Sequence, residues 1–152
     1  MGNAYVSGTN PIVVGDYKND PDAEGYLLEA MTLIDTAAET YEVIPTPEGV
    51  QYTYRDVVRG PDDLAYVLGT DGAIHVLDPA TGEFTDAWPV VDPWEGPQEW
   101  QDPHPALTVS GDTAYVADPA KNSVHAVDLT TGDVTATVEL SAAPNEMVVA
   151  IG

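Results

Sequence analysis

The chain contains no cysteine, which excludes a disulfide framework and any metal site built on thiolates. Basic residues are nearly as scarce. Four Lys and Arg stand against 26 Asp and Glu, for a formal net charge of -22. Such a surface repels phosphate backbones and anionic bilayers, so nucleic-acid binding is not expected. It attracts cations, or simply keeps an acidic protein in solution. No run of about 18 apolar residues occurs, so no membrane insertion by a helix is expected. A signal-peptide pattern is missing too, and the opening MGNAYVSG runs directly into a strand-like stretch, as the start of a fragment would. There is no G-x-S-x-G elbow, no glycine-rich phosphate loop and no H-E-x-x-H helix. Together with the lack of a cysteine nucleophile, this reads as a protein that is not an enzyme.

What the chain does have is turns and a repeat. Its 152 residues include 13 Gly and 13 Pro, a composition that favours many short elements over long helices. AIHVLDPATGEFTDAWPV and SVHAVDLTTGDVTATVEL are near copies offset by 50 residues, so that Ile74–Asp78 answers to Val124–Asp128 and Thr81-Gly82 to Thr131-Gly132. Each copy is preceded by an AYV strand, and the runs are rich in Val, Thr, Tyr and Ile without a helical period. Gly82 and Gly132 stand where a turn needs positive φ. Asp78 and Asp128, at strand ends, read as turn-forming Asx residues. Upstream strands lie within Gln51–Asp63 and His104–Thr113, and a degenerate unit opens the chain, with Leu33-Ile34-Asp35 answering to Val76-Leu77-Asp78.

Four antiparallel strands per repeat at this period predict an all-β protein of β-propeller blades, about three in an incomplete ring. A single partial propeller domain over residues 1–152 follows, with blades at about 3–46, 50–91 and 103–140 and a closing strand at about 144–151. The first blade reads as lacking its innermost strand. The partner of the open blades is then either missing propeller blades or a second copy of the chain.

Long loops gather on one face. One is Gly8–Tyr26, assigned to the connection between the second and third strands of the first blade. The other is Val91–Pro105, between the second and third blades. The second holds Trp94, Glu95, Glu99, Trp100, Asp102 and His104, and loops on a rigid scaffold carry sites. His104 heads a channel strand, and the matching place on the next one holds Asn145 and Glu146. Imidazole with carboxylates is a zinc donor set; alternatively His104 caps a turn between two prolines and faces water. His75 and His125 share one repeat position, which points to a hydrogen bond within each blade. Asp20–Gly25 reads as a solvated acidic loop, since the spacing of a calcium loop is not completed. Glu95, Glu99 and Trp100 also offer a platform for sugar.

The Tyr66-Val67 and Tyr115-Val116 strands, each leading into a strand ending in Asp78 or Asp128 and a T-x-G-type turn, resemble the YVTN β-propeller repeats of bacteria. The stretch DPHPALTVSGDTAYVADPAKNSVHAVDLTTGDVTATVELSAAPNEMVV is similar to the C-terminal blades of bacterial propeller-type zinc metallochaperones of zinc ABC import systems. That resemblance implies zinc as the ion carried, the importer's solute-binding protein as the partner, and an extracytoplasmic location. It makes His104 the first ligand candidate, with Glu146 and Asp102 next; Glu99 of the loop is a further carboxylate candidate on donor chemistry. A metal-free module that docks protein or carbohydrate through the same loop face is the alternative.

Overall fold

A computed structural model of the chain describes residues 4–5, 10–15, 26–99 and 101–150. Strands β1 (Ala4–Tyr5), β2 (Ile12–Gly15), β3 (Ala30–Asp35) and β4 (Thr40–Pro45) form one antiparallel sheet. The second contains β5 (Val57–Arg59), β6 (Ala65–Leu68), β7 (Ala73–Asp78) and β8 (Glu83–Pro89). In the third are β9 (Ala106–Ser110), β10 (Thr113–Asp118), β11 (Ser123–Asp128) and β12 (Val134–Glu139). No helix occurs among the described residues. These are propeller blades: each sheet is a simple meander, and the first strands β1, β5 and β9 lie side by side where the three sheets converge.

The repeat is exact in register. A one-residue bulge interrupts the pairing between Val76 and Leu77 in the second blade and between Ala126 and Val127 in the third. The turn after it is also shared. Asp78 Oδ1 accepts the Ala80 N–H at 2.8 Å and Asp128 Oδ1 accepts the Thr130 N–H at 2.7 Å. Gly82 and Gly132 then close it with φ of 72° and 75°, a region that costs glycine nothing. In the first blade Asp35 Oδ1 accepts the Ala37 and Ala38 N–H groups, both at 2.9 Å, and Glu39 takes the glycine's place with φ of 56°.

Two sequence expectations are corrected. The first blade has an innermost strand: β1, at Ala4–Tyr5, fills that slot and pairs with β2. The second slot belongs to Ile12–Gly15, inside the stretch assigned to a long loop, because Val13 is wanted in the core, where only 1% of it is exposed. Residues 6–9 and 16–25, including Asp20–Gly25, lie outside the described residues. The closing strand is the second correction. Residues 143–150 form no strand, since no described strand lies alongside them to supply a ladder; Arg55 Nη1 instead donates to the Asn145 carbonyl at 2.8 Å.

The core lies between blades rather than within them. Val13, Met31, Leu33 and Ile44 of the first blade pack against Val57, Ala65, Val67 and Leu77 of the second. Tyr66, Ile74, Val76 and Trp88 of the second pack in the same way against Leu107, Ala114, Val116 and Val127 of the third. Turn glycines seal both junctions. A Cβ on Gly132 would sit 2.4 Å from the Trp88 ring, and one on Gly82 would sit 3.0 Å from Ile44. Gly132→Ala should therefore lower stability by about 2–4 kcal/mol, combining the positive φ with overpacking. Chemical denaturation checks this, and Trp88→Leu in the same chain should recover the steric part of the loss.

Asp56, just before β5, is fully buried. Thr53 donates to its Oδ2 from N–H at 3.0 Å and from Oγ1 at 2.6 Å, while Oδ1 has no partner. Burial pushes its carboxyl up to about 7, against the Thr53 hydrogen bonds and the Arg55 charge, which lower it. The folded state thus holds a proton that the unfolded state releases near the ordinary value of 3.8. Stability should fall by roughly 1–4 kcal/mol as pH rises from about 4 to about 7. Asp56→Asn keeps an acceptor for Thr53 and removes the ionisation, so its denaturation midpoint should lose most of that pH dependence.

Candidate metal site

The loop from β8 to β9 is pinned onto the β6–β7 turn. The Val90 and Val91 N–H groups donate to the Gly72 carbonyl at 3.0 and 3.1 Å, and Trp94 N–H donates to Thr70 O at 2.8 Å. The Trp94 indole N–H donates to Gly69 O at 2.9 Å. These bonds use backbone groups that a turn and an irregular loop would otherwise leave unpaired. They also hold the indole plane as a platform, on which the His104 imidazole stacks with ring centroids 6.3 Å apart and planes 24° from parallel.

His104 does not face water. It is 4% exposed, because Trp94 covers one side and β9 begins two residues later. Its Nδ1–H donates to the Asp102 backbone carbonyl at 2.8 Å, which assigns the proton to Nδ1 and leaves a lone pair on Nε2. That Nε2 is buried with no hydrogen-bond partner. Burial lowers the His104 pKa from its ordinary value of 6.5, and the Arg55 charge lowers it further; the Asp102 carbonyl and carboxylate act the other way. The ring is neutral at pH 7. An imidazole whose second nitrogen is held by a carbonyl while the first keeps a free lone pair is the state in which histidine binds metals.

The carboxylates proposed with it are differently placed. Asp102 Oδ2 accepts the Glu99 N–H at 2.9 Å, and the Asp102 N–H returns a bond to Glu99 O at 2.9 Å. Asp102 thus reaches His104 through its backbone, and its side chain shapes the loop. Glu99 is exposed. Glu146 Oε1 lies 3.6 Å from Arg55 Nη2, with its side chain 80% exposed. Among the described residues, no three His, Asp or Glu side chains come together as a metal cage. Trp100 lies outside the described residues.

Arg55 is the residue that sequence reasoning missed. It stands before β5, its backbone carbonyl accepts the Leu107 N–H at 3.4 Å, and its guanidinium holds both Asn145 and Glu146. A signal existed: it is one of only four basic residues in the chain. The other two histidines stay within their blades. His75 Nε2 is 3.0 Å from Asp71 Oδ2, and His125 pairs with Thr137 Oγ1 at 2.9 Å and Ser123 Oγ at 3.2 Å. At the far ends of β5 and β9 a cleft of about 320 Å³ is lined by Arg59, Asp63 and Val109; it has no histidine. Because the Arg55 charge depresses the imidazole, Arg55→Gln should raise the His104 pKa towards 6.5 without restoring it, burial being the larger cause. NMR titration of the ring protons checks both the depressed starting value and the direction.

Three meandering four-stranded sheets with their first strands converging define a β-propeller architecture. The known structures that share it include the crystal structure of Citrobacter koseri AztD, with a TM-score of 0.72 and 23% identity over 93% of this chain and 35% of that one. A chain in the structure of a mitotic checkpoint complex follows at a TM-score of 0.62 and 12% identity, over 88% of this chain and 35% of that one. In sequence, the chain is 29% identical over 125 residues to the zinc chaperone AztD of Citrobacter koseri, which is 82% of this chain and 29% of that protein. The chain thus spans about a third of the length of these relatives. No protein-family model matches it, so the YVTN likeness rests on the repeat residues alone.

Proposed function

We propose that this chain is part of a zinc-carrying propeller, a chaperone that holds zinc and passes it to the solute-binding protein of an ABC importer outside the cytoplasm. The observation that carries the reading is the state of His104: buried, neutral, Nδ1–H committed to Asp102 O, Nε2 bare. Leaving such a nitrogen unpaired costs about 1–3 kcal/mol, a cost that a metal ion removes. Likeness to the zinc chaperone of Citrobacter koseri supports the choice of ion.

Zinc takes three or four protein ligands. His104 supplies imidazole. Glu146 is the carboxylate with most freedom to join it, by leaving Arg55, since an exposed pair of this kind is worth only about 0–1 kcal/mol. Asp102 positions the imidazole, and Glu99 stands at the loop rim. The remaining donors come from blades beyond this segment. A site completed from several blades suits a carrier, because each ligand can be withdrawn separately when a partner takes the ion. Trp94, whose N–H and one ring face are already used inside the loop, is a wall of the His104 site, and the alternative of a metal-free carbohydrate platform rests on Glu95, Glu99 and Trp100.

Calorimetric titration with zinc, with calcium as control, should show saturable zinc uptake and no calcium uptake. His104→Ala should abolish it, whereas His125→Ala should cost stability alone. Lowering the pH should release the ion below 6.5, because protons compete for Nε2 of a ring whose pKa is already lowered. Zinc binding that survives His104→Ala, in this chain or in the propeller that contains it, would overturn the reading.

A further inference from the structure

Sheet register sets what stands beside His104. Val57 pairs with Val67 and Val67 with His75, as Leu107 pairs with Val116 and Val116 with His125. Continuing that match back along the chain, Tyr54 holds the place in the second blade that His104 holds in the third. Both precede a first strand, and these strands lie side by side, joined where the Leu107 N–H donates to the Arg55 carbonyl at 3.4 Å. The Arg55 guanidinium belongs to this end of the blades. Its Nε donates to the Tyr54 hydroxyl at 2.8 Å, and its Nη1 to the Asn145 carbonyl at 2.8 Å. The side chain is only 13% exposed, so water and salt screen its charge poorly. The other described cations are placed elsewhere. Lys121 is paired with Asp92 at 2.9 Å, and Arg59 donates to the Pro11 carbonyl from the far end of β5.

We propose, resting on the reading of His104 as a zinc ligand, that Arg55 keeps the bound ion releasable: it is a fixed positive charge that weakens zinc binding at His104 and holds Glu146 until zinc draws it away. A proton and a zinc ion on Nε2 both place positive charge at the same atom, and the Arg55 charge already opposes the proton. A dication meets about twice that opposition. Glu146 adds a second effect. Its carboxylate lies 3.6 Å from Arg55 Nη2 with its side chain 80% exposed. Zinc must therefore take it from the guanidinium, and the guanidinium recovers it when zinc leaves. Such a counterweight suits a carrier, because an ion held at full strength by imidazole and carboxylate is not passed on. An arginine with a merely structural role predicts the opposite sign, since removing it would loosen the site and weaken zinc binding.

Calorimetry gives the zinc affinity, and stopped-flow transfer to a chromogenic chelator gives the release rate. Both are measured in this chain and in the propeller that contains it, at about pH 8, where the imidazole is neutral in every variant. Arg55→Gln should bind zinc on the order of 10-fold more tightly than the parent and release it correspondingly more slowly. Arg55→Lys, which keeps the charge, should stay within about 3-fold of the parent. Both variants lose the planar fork, so any disturbance of the fold is common to them and their difference reads the charge. With Glu146→Gln added, the gain from Arg55→Gln should shrink without vanishing, which separates the freed carboxylate from the charge. Binding by Arg55→Gln that is no tighter than by Arg55→Lys, while His104→Ala abolishes uptake, would overturn the inference and leave the reading of His104 standing. Uptake that survives His104→Ala, or its absence from the whole propeller, would remove that reading and this inference with it.

Discussion

Tyr66, Ile74 and Val76 leave water, and Trp88 does so in part, because a neighbouring blade lies against them. A four-stranded sheet of this size has no core of its own. Its stability comes from burying one face on the sheet before it and the other on the sheet after it, as in repeat proteins generally. The tight turns, the bulges and the glycines all serve that contact. They keep the apolar positions of successive blades in the same register, and they let one turn close over a large side chain of the neighbour.

The same contact creates the site. Because the blades converge at their first strands, the segment leading into β9 is carried against the segment leading into β5, and residues distant in sequence become neighbours. Arg55 reaches Asn145, 90 residues away in the chain, and its charge is felt by His104. The inter-blade loop must also satisfy its own backbone, which it does on Gly69, Thr70 and Gly72. A consequence is that Trp94 is fixed as a wall, and a histidine beside it is both desolvated and oriented. Burial supplies neutrality, and the Asp102 carbonyl supplies the tautomer.

A buried polar atom without a partner is uncommon in proteins, and among the described side chains His104 Nε2 shares that state with Asp56 Oδ1 and Arg59 Nε. His75 and His125 lie in the same chain and the same chemistry, yet both are engaged by Asp, Ser or Thr of their own blades. The contrast sets His104 apart. Glu146 is held at the rim by Arg55, whose charge also reaches His104.

The sequence alone determined what is local and repeated. Strand alternation, the Asp78 and Asp128 turns, the positive-φ glycines and the 50-residue offset each depend on residues a few positions apart, and each is seen in the fold. It also singled out the long loop and the histidine within it. Only the tertiary structure decided which slot each weak strand fills. Ala4–Tyr5 is innermost because Ile12–Gly15, with Val13 in the core, takes the second slot and pairs with it. Residues 143–150 stay irregular because pairing needs a neighbour that composition does not reveal. The burial of His104, the turn of the Asp102 carboxylate towards Glu99 and the role of Arg55 were hidden for the same reason. Each is set by desolvation and charge from segments that meet only when one blade packs on the next.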